Sequence, residues 1–141
     1  MIRNAILSDI PRIVEMGQRF RSESSYDKYV ADNAQQMKDL VELLISKNGL
    51  IVSERDGRVV GMLGFMIYSH FISGQLTAGE VFWWANPEYP GEGIKLLIEM
   101  KKRAKLAGAV NMQMIAPNRK VAHFYERIGY GFVESTYQLS L

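Results

Sequence analysis

The segment from Glu80 to Lys95 has the residue types and the order that suit the binding of a phosphate group. It reads Glu-Val-Phe-Trp-Trp-Ala-Asn-Pro-Glu-Tyr-Pro-Gly-Glu-Gly-Ile-Lys, in which a predicted strand runs into a turn with two glycines and the turn opens directly into a predicted helix. Unpaired backbone N–H groups and the positive end of the helix then point to one place, where an anion is stabilised. Gly91 and Gly93 would let a phosphate approach the backbone closely. The same pattern fits a tight strand-to-helix turn that binds nothing, and it is neither a P-loop nor a Gly-x-Gly-x-x-Gly fingerprint.

A second informative segment begins at Ala116 and reads Ala-Pro-Asn-Arg-Lys-Val-Ala-His-Phe-Tyr-Glu-Arg-Ile-Gly-Tyr-Gly-Phe. Together the two segments resemble the GNAT superfamily of acyl-CoA N-acyltransferases. That family has an asparagine, an alanine, Phe-Tyr-Glu and Gly-Phe/Tyr in its later motif, and this chain has Asn118, Ala122, Phe124-Tyr125-Glu126 and Gly129-Tyr130. The family's pyrophosphate loop, Arg/Gln-x-x-Gly-x-Gly/Ala, corresponds to Pro90 to Lys95. The resemblance extends over most of the chain, because the predicted order of elements matches as well.

The resemblance implies that acetyl-CoA is the co-substrate, and no metal ion is expected. The backbone around Trp84, Ala85 and Asn86 would pair with the pantetheine amides like an added strand, and one N–H there would stabilise the thioester oxyanion. The residues expected to contact the cofactor are Trp84, Ala85, Asn86, Pro90, Gly91, Glu92, Gly93, Ile94, Lys95, Asn118, Phe124 and Tyr125.

Two residues of the loop depart from the family pattern. Pro90 stands where the family has a basic or amide side chain, so one direct phosphate contact is lost. Lys95 stands where a small residue normally permits close approach. A lysine there either blocks the loop or places its ammonium on the phosphates, and we favour the second.

The implied reaction is direct transfer of an acetyl group from the thioester to a primary amine. A protonated alkylamine has a pKa of about 10.4, so a general base must take its proton before attack. Glu80 is the candidate base, with a glutamate on a solvated strand face as the slightly favoured alternative. Other members of the family remove the proton through water. Tyr125 is the candidate acid, because the family's tyrosine points at the thioester sulfur; the alternative is aromatic packing. Asn118 fits a pantetheine contact and a helix N-cap equally well.

The elements that must position these residues follow from hydrophobic periodicity and turn signals. They give the order β-α-α-β-β-β-α-β-α-β over a single domain, residues 1–141, and predict an α/β (α+β) fold with a mixed, largely antiparallel sheet flanked by helices. The helix after the loop is expected to bury Ile94, Leu97, Ile98 and Ala104, and a final strand is expected over Tyr130 to Leu141. Trp83 and Trp84 alternate on their strand, so one should be in the core and the other is free to line the acyl site.

Composition excludes several classes of function. The chain of 141 residues has no cysteine and only two histidines, far apart, so thiolate metal sites and cysteine nucleophiles are excluded and a zinc site is not expected. A net charge of +2 is too small to predict a nucleic-acid or membrane surface. Without a signal-peptide core or an apolar run long enough to span a bilayer, a soluble cytoplasmic protein is predicted.

The acceptor is left open between small-molecule and peptide amines. Met16, Phe20, Tyr26 and Tyr29 are candidates for its pocket, with core packing the safer interpretation for the first two. A homodimer is also considered, because an exposed final strand would offer an edge. The competing hypothesis to an enzyme is a GNAT-like module that binds or senses acyl-CoA with little or no catalysis, since Pro90 and Lys95 weaken the loop.

Overall fold

A computed structural model describes all 141 residues of the chain. The strands are β1 (Ile2–Asn4), β2 (Leu50–Arg55), β3 (Arg58–Ser69), β4 (Leu76–Ala85) and β5 (Asn111–Gln113). The helices are α1 (Ile10–Ser22), α2 (Ala34–Ser46), α3 (Glu92–Leu106) and α4 (Arg119–Arg127), with short 3₁₀ turns at Leu7–Asp9 and Ser25–Lys28.

The five strands form one sheet in the order β1-β2-β3-β4-β5. Neighbours pair antiparallel from β1 to β4, and β4 pairs parallel with β5. Asp56 and Gly57 make the turn between β2 and β3 with positive φ angles of 51° and 75°, as the Asp-Gly signal predicts. The mixed, largely antiparallel sheet flanked by helices is therefore confirmed.

Helices cover both faces of the sheet. On one face α1 and α2 bury Ile13, Met16, Val41 and Leu44 against strand residues that include Met62 and Trp84. On the other face α3 buries Leu96, Met100 and Ala104 against strand residues that include Leu63 and Phe65. Because successive side chains of a strand point to opposite faces, β2 to β4 supply residues to both layers.

The buried face of α3 differs from the predicted one. Leu97 and Ala104 are buried as expected, but Ile94 and Ile98 are 48% and 63% exposed. The residues that face the sheet recur every fourth position, and the first of them is a carboxylate; they are Glu92, Leu96, Met100 and Ala104. The prediction was wrong here because it assigned only apolar side chains to the buried face, and a glutamate occupies part of that face.

The final strand predicted over Tyr130 to Leu141 is absent. Residues 130–141 contain no helix or strand, and residues 131–141 are all exposed. The Tyr130 N–H donates to the Tyr125 carbonyl oxygen at 3.0 Å, and farther along Gln138 Nε2 donates to the Tyr29 carbonyl oxygen at 3.3 Å. Alternating residues satisfy only one requirement of a strand, since the backbone also needs a neighbouring strand to pair with.

β5 is only three residues long, Asn111–Gln113. Its pairing with β4 ends at the Gly79–Gln113 pair, and beyond that pair the two strands separate. The second half of β4, residues 80–85, therefore pairs with β3 alone and leaves its other edge open. None of the helices is both long and apolar enough to cross a membrane.

Candidate active site

The opening between β4 and β5 exposes backbone groups of particular β4 residues. The Asn86 N–H donates to the Val60 carbonyl oxygen at 2.8 Å, which fixes the alternation along the end of β4. Trp84 therefore points its backbone groups toward β3, and Trp83 and Ala85 point theirs into the opening. Of the three residues expected to pair with the cofactor, Ala85 is placed to do so. Asn86 is engaged elsewhere, and its side chain also accepts from the Glu88 N–H.

Glu80 and Tyr125 meet where the two strands part. The Tyr125 hydroxyl donates to the Ile115 carbonyl oxygen at 3.2 Å, and the Ile115 N–H donates to Glu80 Oε1 at 3.5 Å. The side chains of Glu80 and Tyr125 thus take the backbone hydrogen bonds of Ile115 that a longer β5 would have formed with β4. The two candidate catalytic residues are brought together at one peptide segment.

Burial shifts the pKa values of both groups. Loss of hydration raises the pKa of Glu80 from near 4.5 to about 7, partly opposed by the Ile115 N–H. Burial also raises the pKa of Tyr125, and the negative charge of Glu80 raises it further. Near neutral pH the Glu80 carboxyl group can therefore gain or lose a proton, and the neighbouring Tyr125 phenol stays protonated. That pair suits a base and an acid acting on different atoms.

The first turn of α3 presents a set of free N–H donors. Gly91 adopts a left-handed conformation with φ of 90° and precedes the helix, which begins at Glu92. The N–H groups of Gly91, Gly93 and Ile94 have no partner in the chain, whereas the Lys95 N–H donates to the Gly91 carbonyl oxygen. Three unpaired donors at a helix start are the arrangement that stabilises a phosphate. The loop therefore fits the diphosphate expected from its sequence.

Glu92 is the unexpected member of this loop, because its side chain is fully buried. It accepts from Ser53 Oγ in a very short hydrogen bond, from Arg55 Nη1 at 2.7 Å and from Lys95 Nζ at 2.9 Å. The Lys95 bond and the Ser53 bond lower the pKa of Glu92 to about 2, with Arg55 adding to the effect. Glu92 thus anchors the first turn of α3 to β2 rather than pointing at a ligand.

Lys95 shares its charge with that anchor. Its ammonium is bonded to Glu92, while the side chain is still 55% exposed. An ammonium has three N–H donors, so Lys95 can hold Glu92 and contact a phosphate at the same time. Pro90 is exposed and offers no donor.

The two tryptophans occupy opposite faces of β4, as the alternation predicts. Trp84 is in the core, and its Nε1 donates to Glu23 Oε2 at 3.0 Å. Trp83 lies on the α3 side, where its Nε1 donates to the Gly93 carbonyl oxygen at 3.1 Å and its ring lies 6.0 Å from that of Tyr125. Trp83 therefore connects the loop at Gly91 and Gly93 to the candidate acid. Its role was not predicted, although its strand position already placed it on that face.

A cleft of about 410 Å³ lies beside Trp83 and Trp84. Its walls combine aromatic, acidic and amide side chains and include Phe20, Glu23, Asp27, Trp83, Trp84 and Asn118. Asn118 also caps α4 by accepting from the Val121 N–H at 3.0 Å. Met16 is fully buried in the core, and Tyr26 and Tyr29 are exposed outside the cleft wall, so of the four pocket candidates only Phe20 lines it.

Phe124 directly precedes Tyr125, the candidate acid, in α4. It is partly buried, with its ring 5.9 Å from that of Tyr125. It therefore supports Tyr125 by packing. No group of three or more His, Asp or Glu side chains is placed to hold a metal ion.

The chain belongs to the acetyltransferase (GNAT) family, whose sequence model matches residues 11–130. The match spans both the phosphate loop and the Phe-Tyr-Glu motif that carries Tyr125. A comparison with curated proteins gave no significant match.

Solved structures share the fold at low sequence identity. An acetyltransferase from Trypanosoma brucei has a TM-score of 0.74 at 18% identity, covering 100% of this chain and 99% of that one. A predicted acetyltransferase from Clostridium acetobutylicum, solved with acetyl-CoA, has a TM-score of 0.74 at 15% identity, covering 99% and 95%. A ribosomal-protein-alanine N-acetyltransferase from Brucella melitensis biovar Abortus 2308 has a TM-score of 0.73 at 16% identity, covering 100% and 98%. These likenesses support the fold, since identities this low carry no information on the acceptor.

Proposed function

We propose that this chain is an N-acetyltransferase that moves an acetyl group from acetyl-CoA to a primary amine. The observation that carries the proposal is the meeting of Glu80 and Tyr125 at Ile115, where β4 and β5 separate. A carboxyl group with a pKa of about 7 and a protonated phenol stand at the mouth of an open strand edge. Both chemical roles that amide formation from a thioester requires are available there.

Acetyl-CoA supplies the activated acetyl group and a thiolate that leaves. The N–H groups of Gly91, Gly93 and Ile94 would hold its diphosphate, and the open edge of Trp83 and Ala85 would receive its amides. The same edge offers N–H donors to a carbonyl oxygen on which negative charge develops.

The chain's own residues would then move two protons. Glu80 accepts one from the ammonium group of the acceptor, which makes the amine a nucleophile. Tyr125 releases its bond to the Ile115 carbonyl oxygen and donates its proton to the departing sulfur. The cleft beside Trp84 is open to the acceptor, and its walls are only partly apolar.

The alternative is a module that binds acyl-CoA without efficient catalysis. The observation that favours it is the pairing of Lys95 with Glu92, together with the missing donor at Pro90. Both changes reduce the positive charge available to the diphosphate. Retention of Tyr125 beside Glu80 argues for the enzyme.

One experiment separates these functions. The purified protein is titrated with acetyl-CoA by calorimetry, and thiol release is then followed with a panel of amines and with peptides that carry a free N-terminus. Binding with amine-dependent thiol release supports the enzyme. Binding without release for any amine supports the binding module. A folded protein that does not bind acetyl-CoA would contradict both.

A further inference from the structure

The β3–β4 hairpin extends beyond the rest of the sheet and leaves one edge of β3 without a neighbour. The pairing of β2 with β3 begins at Leu50 and Gly64, so residues 66–69 of β3 pair only with β4. The Phe65 N–H on that edge is taken by the Gly49 carbonyl oxygen. From Met66 to Ser69 every residue is exposed and pairs only with β4.

The free backbone groups on this edge can be assigned. The His70 N–H donates to the Gln75 carbonyl oxygen at 2.9 Å, which fixes the alternation along the hairpin. Met66 and Tyr68 therefore direct their backbone groups to β4, and Ile67 and Ser69 direct theirs outward. Two N–H donors and two C=O acceptors are left in one straight row with no partner in the chain.

The side chains around this edge carry no carboxylate, ammonium or guanidinium group. Between Arg58 and Glu80 the sequence contains no Asp, Glu, Lys or Arg, although such residues make up 23% of the chain. At the tip of the hairpin Phe71 and Ile72 are 90% and 77% exposed. Natural proteins usually protect an exposed edge strand with a lysine, a proline or a bulge that turns it away. This stretch of edge has no charge and no proline.

We propose that the edge at residues 66–69 pairs with the same edge of a second copy of this chain, forming a two-fold dimer. In an antiparallel arrangement centred on Tyr68, Ile67 of each copy lies opposite Ser69 of the other. Such a pair of residues exchanges two N–H···O bonds, so the two pairs satisfy all four free groups of each copy. The two five-stranded sheets then become one continuous sheet, independent of any acetyltransferase activity.

The chemistry of the edge favours a second copy over a different partner. A two-fold interface is self-complementary, and an uncharged strand meets its own copy without repulsion. At the centre of this arrangement the two Tyr68 residues form a non-hydrogen-bonded pair, and each Tyr68 hydroxyl keeps its bond to Gln113 Oε1 of its own copy at 2.6 Å. A strongly charged partner would find no opposite charge on the hairpin. The tips of the hairpins, at Phe71, would come next to the other copy's turn at Gly49.

The test compares the wild-type chain with two edge variants by sedimentation velocity over a wide concentration range. Ile67→Lys places a charge on the edge. Ser69→Pro removes an outward N–H without breaking a bond to β4. Ile98→Lys is the matched control, because Ile98 is an exposed isoleucine on α3 and not on the hairpin. Circular dichroism checks that each variant is folded, and hydrogen exchange follows the amides of residues 66–70.

The expected result is a wild-type dimer that Ile98→Lys retains and that both edge variants lose, with slower exchange of the Ile67 and Ser69 amides as the wild-type concentration rises. A wild-type chain that is monomeric at every concentration would overturn the proposal. So would a dimer that persists in either folded edge variant, since another surface would then hold it. A monomer that sediments with phosphatidylcholine vesicles would also overturn it and assign the apolar hairpin to a lipid surface.

Discussion

Glu80 and Tyr125 are held by the backbone of one residue, Ile115, which donates to the carboxylate and accepts from the phenol. Glu80 belongs to β4 and Tyr125 to α4, and no backbone hydrogen bonds join these two elements at this point. The two side chains replace the strand pairing that ends at Gly79 and Gln113. The opening of the sheet and the placement of the two groups thus have one structural origin.

Replacing Tyr125 with Phe should reduce the turnover number by about 100-fold or more, because a positioned proton donor contributes roughly that factor. The affinity for acetyl-CoA should change little, since the ring and its contact with Trp83 are retained. The lost bond to Ile115 should cost about 1 kcal/mol of stability. Stopped-flow thiol release and calorimetry separate the two effects.

Tyr130→Phe is the control for that variant. Its ring lies 5.2 Å from that of Tyr125, and its hydroxyl makes no hydrogen bond within the chain. A loss of turnover in Tyr130→Phe as large as in Tyr125→Phe would show that the aromatic cluster, rather than the proton of Tyr125, matters.

Glu80 should give the reaction an acidic limb in its pH profile. The base must be ionised, so kcat/KM should rise with pH up to an apparent pKa of about 7 and level off above it. Glu80→Gln should abolish that limb and lower the plateau. A wild-type profile with no inflection between pH 5 and 8 would contradict the assignment and indicate proton removal through water.

Glu80 should also make stability depend on pH. Its folded-state pKa is raised, so between pH 4.5 and about 7 the folded chain binds more protons than the unfolded chain, and stability falls as the pH rises through that window. The total loss should be no more than about 3 kcal/mol. Glu80→Gln should remove this fall, as urea unfolding at pH 5 and pH 8 would show.

Glu92 should have the opposite pH dependence. Its folded-state pKa of about 2 lies below its ordinary value near 4.5, so its stabilisation is present above pH 4.5 and is lost as the pH falls toward 2. The expected contribution is about 2 kcal/mol, reduced from the roughly 3 that the shift implies because Arg55 and Lys95 are half-exposed.

Two variants test this anchor by urea unfolding at several pH values. Glu92→Gln keeps the volume and should lose the acid-dependent part, whereas Glu92→Ala also leaves a cavity and should lose more. Equal stability of wild type and Glu92→Gln at pH 7 would show that the ion cluster contributes nothing.

The sequence predicted the parts of the fold that depend on local patterns. It missed the parts that depend on which other elements pack or pair next to a segment. The strand, turn and helix around Gly91 and Gly93 were predicted correctly because turn chemistry and periodicity are local. The final strand was not, since its pairing partner is a property of the whole sheet. The exposure of Ile98 was missed for a related reason.

The candidate site shows the same division. Glu80 and Tyr125 were identified from their sequence context, but their meeting at Ile115 depends on where β4 and β5 separate. Glu92 was expected to contact the cofactor, and only the structure shows that its carboxylate accepts hydrogen bonds from Ser53 and Arg55 of β2. Residue type gave no sign of that pairing, because Ser53 and Arg55 lie far from Glu92 in the sequence.

Gly91→Ala should destabilise the chain by about 1–2 kcal/mol, since a φ of 90° is unfavourable for a residue with a Cβ. It should also weaken acetyl-CoA binding, because the N–H groups of the loop would shift. Gly131→Ala is the matched control, with no positive φ and open space around it. Thermal unfolding and calorimetry of the two variants check both effects, and equal behaviour would contradict the prediction.

Lys95→Met should weaken acetyl-CoA binding by about 5- to 20-fold if the ammonium contacts the diphosphate, which corresponds to roughly 1–2 kcal/mol for one charge-assisted contact. The methionine keeps most of the side chain's length and leaves Glu92 bonded to Ser53 and Arg55, so the anchor should survive. Lys101→Met is the control, because Lys101 is an exposed lysine of the same helix. The weaker binding should also depend less on salt concentration than that of the wild type, since one ionic contact is lost. If Lys95→Met bound acetyl-CoA more tightly, the lysine would be an obstruction that Glu92 holds aside, and the free N–H groups of Gly91, Gly93 and Ile94 would account for phosphate binding alone.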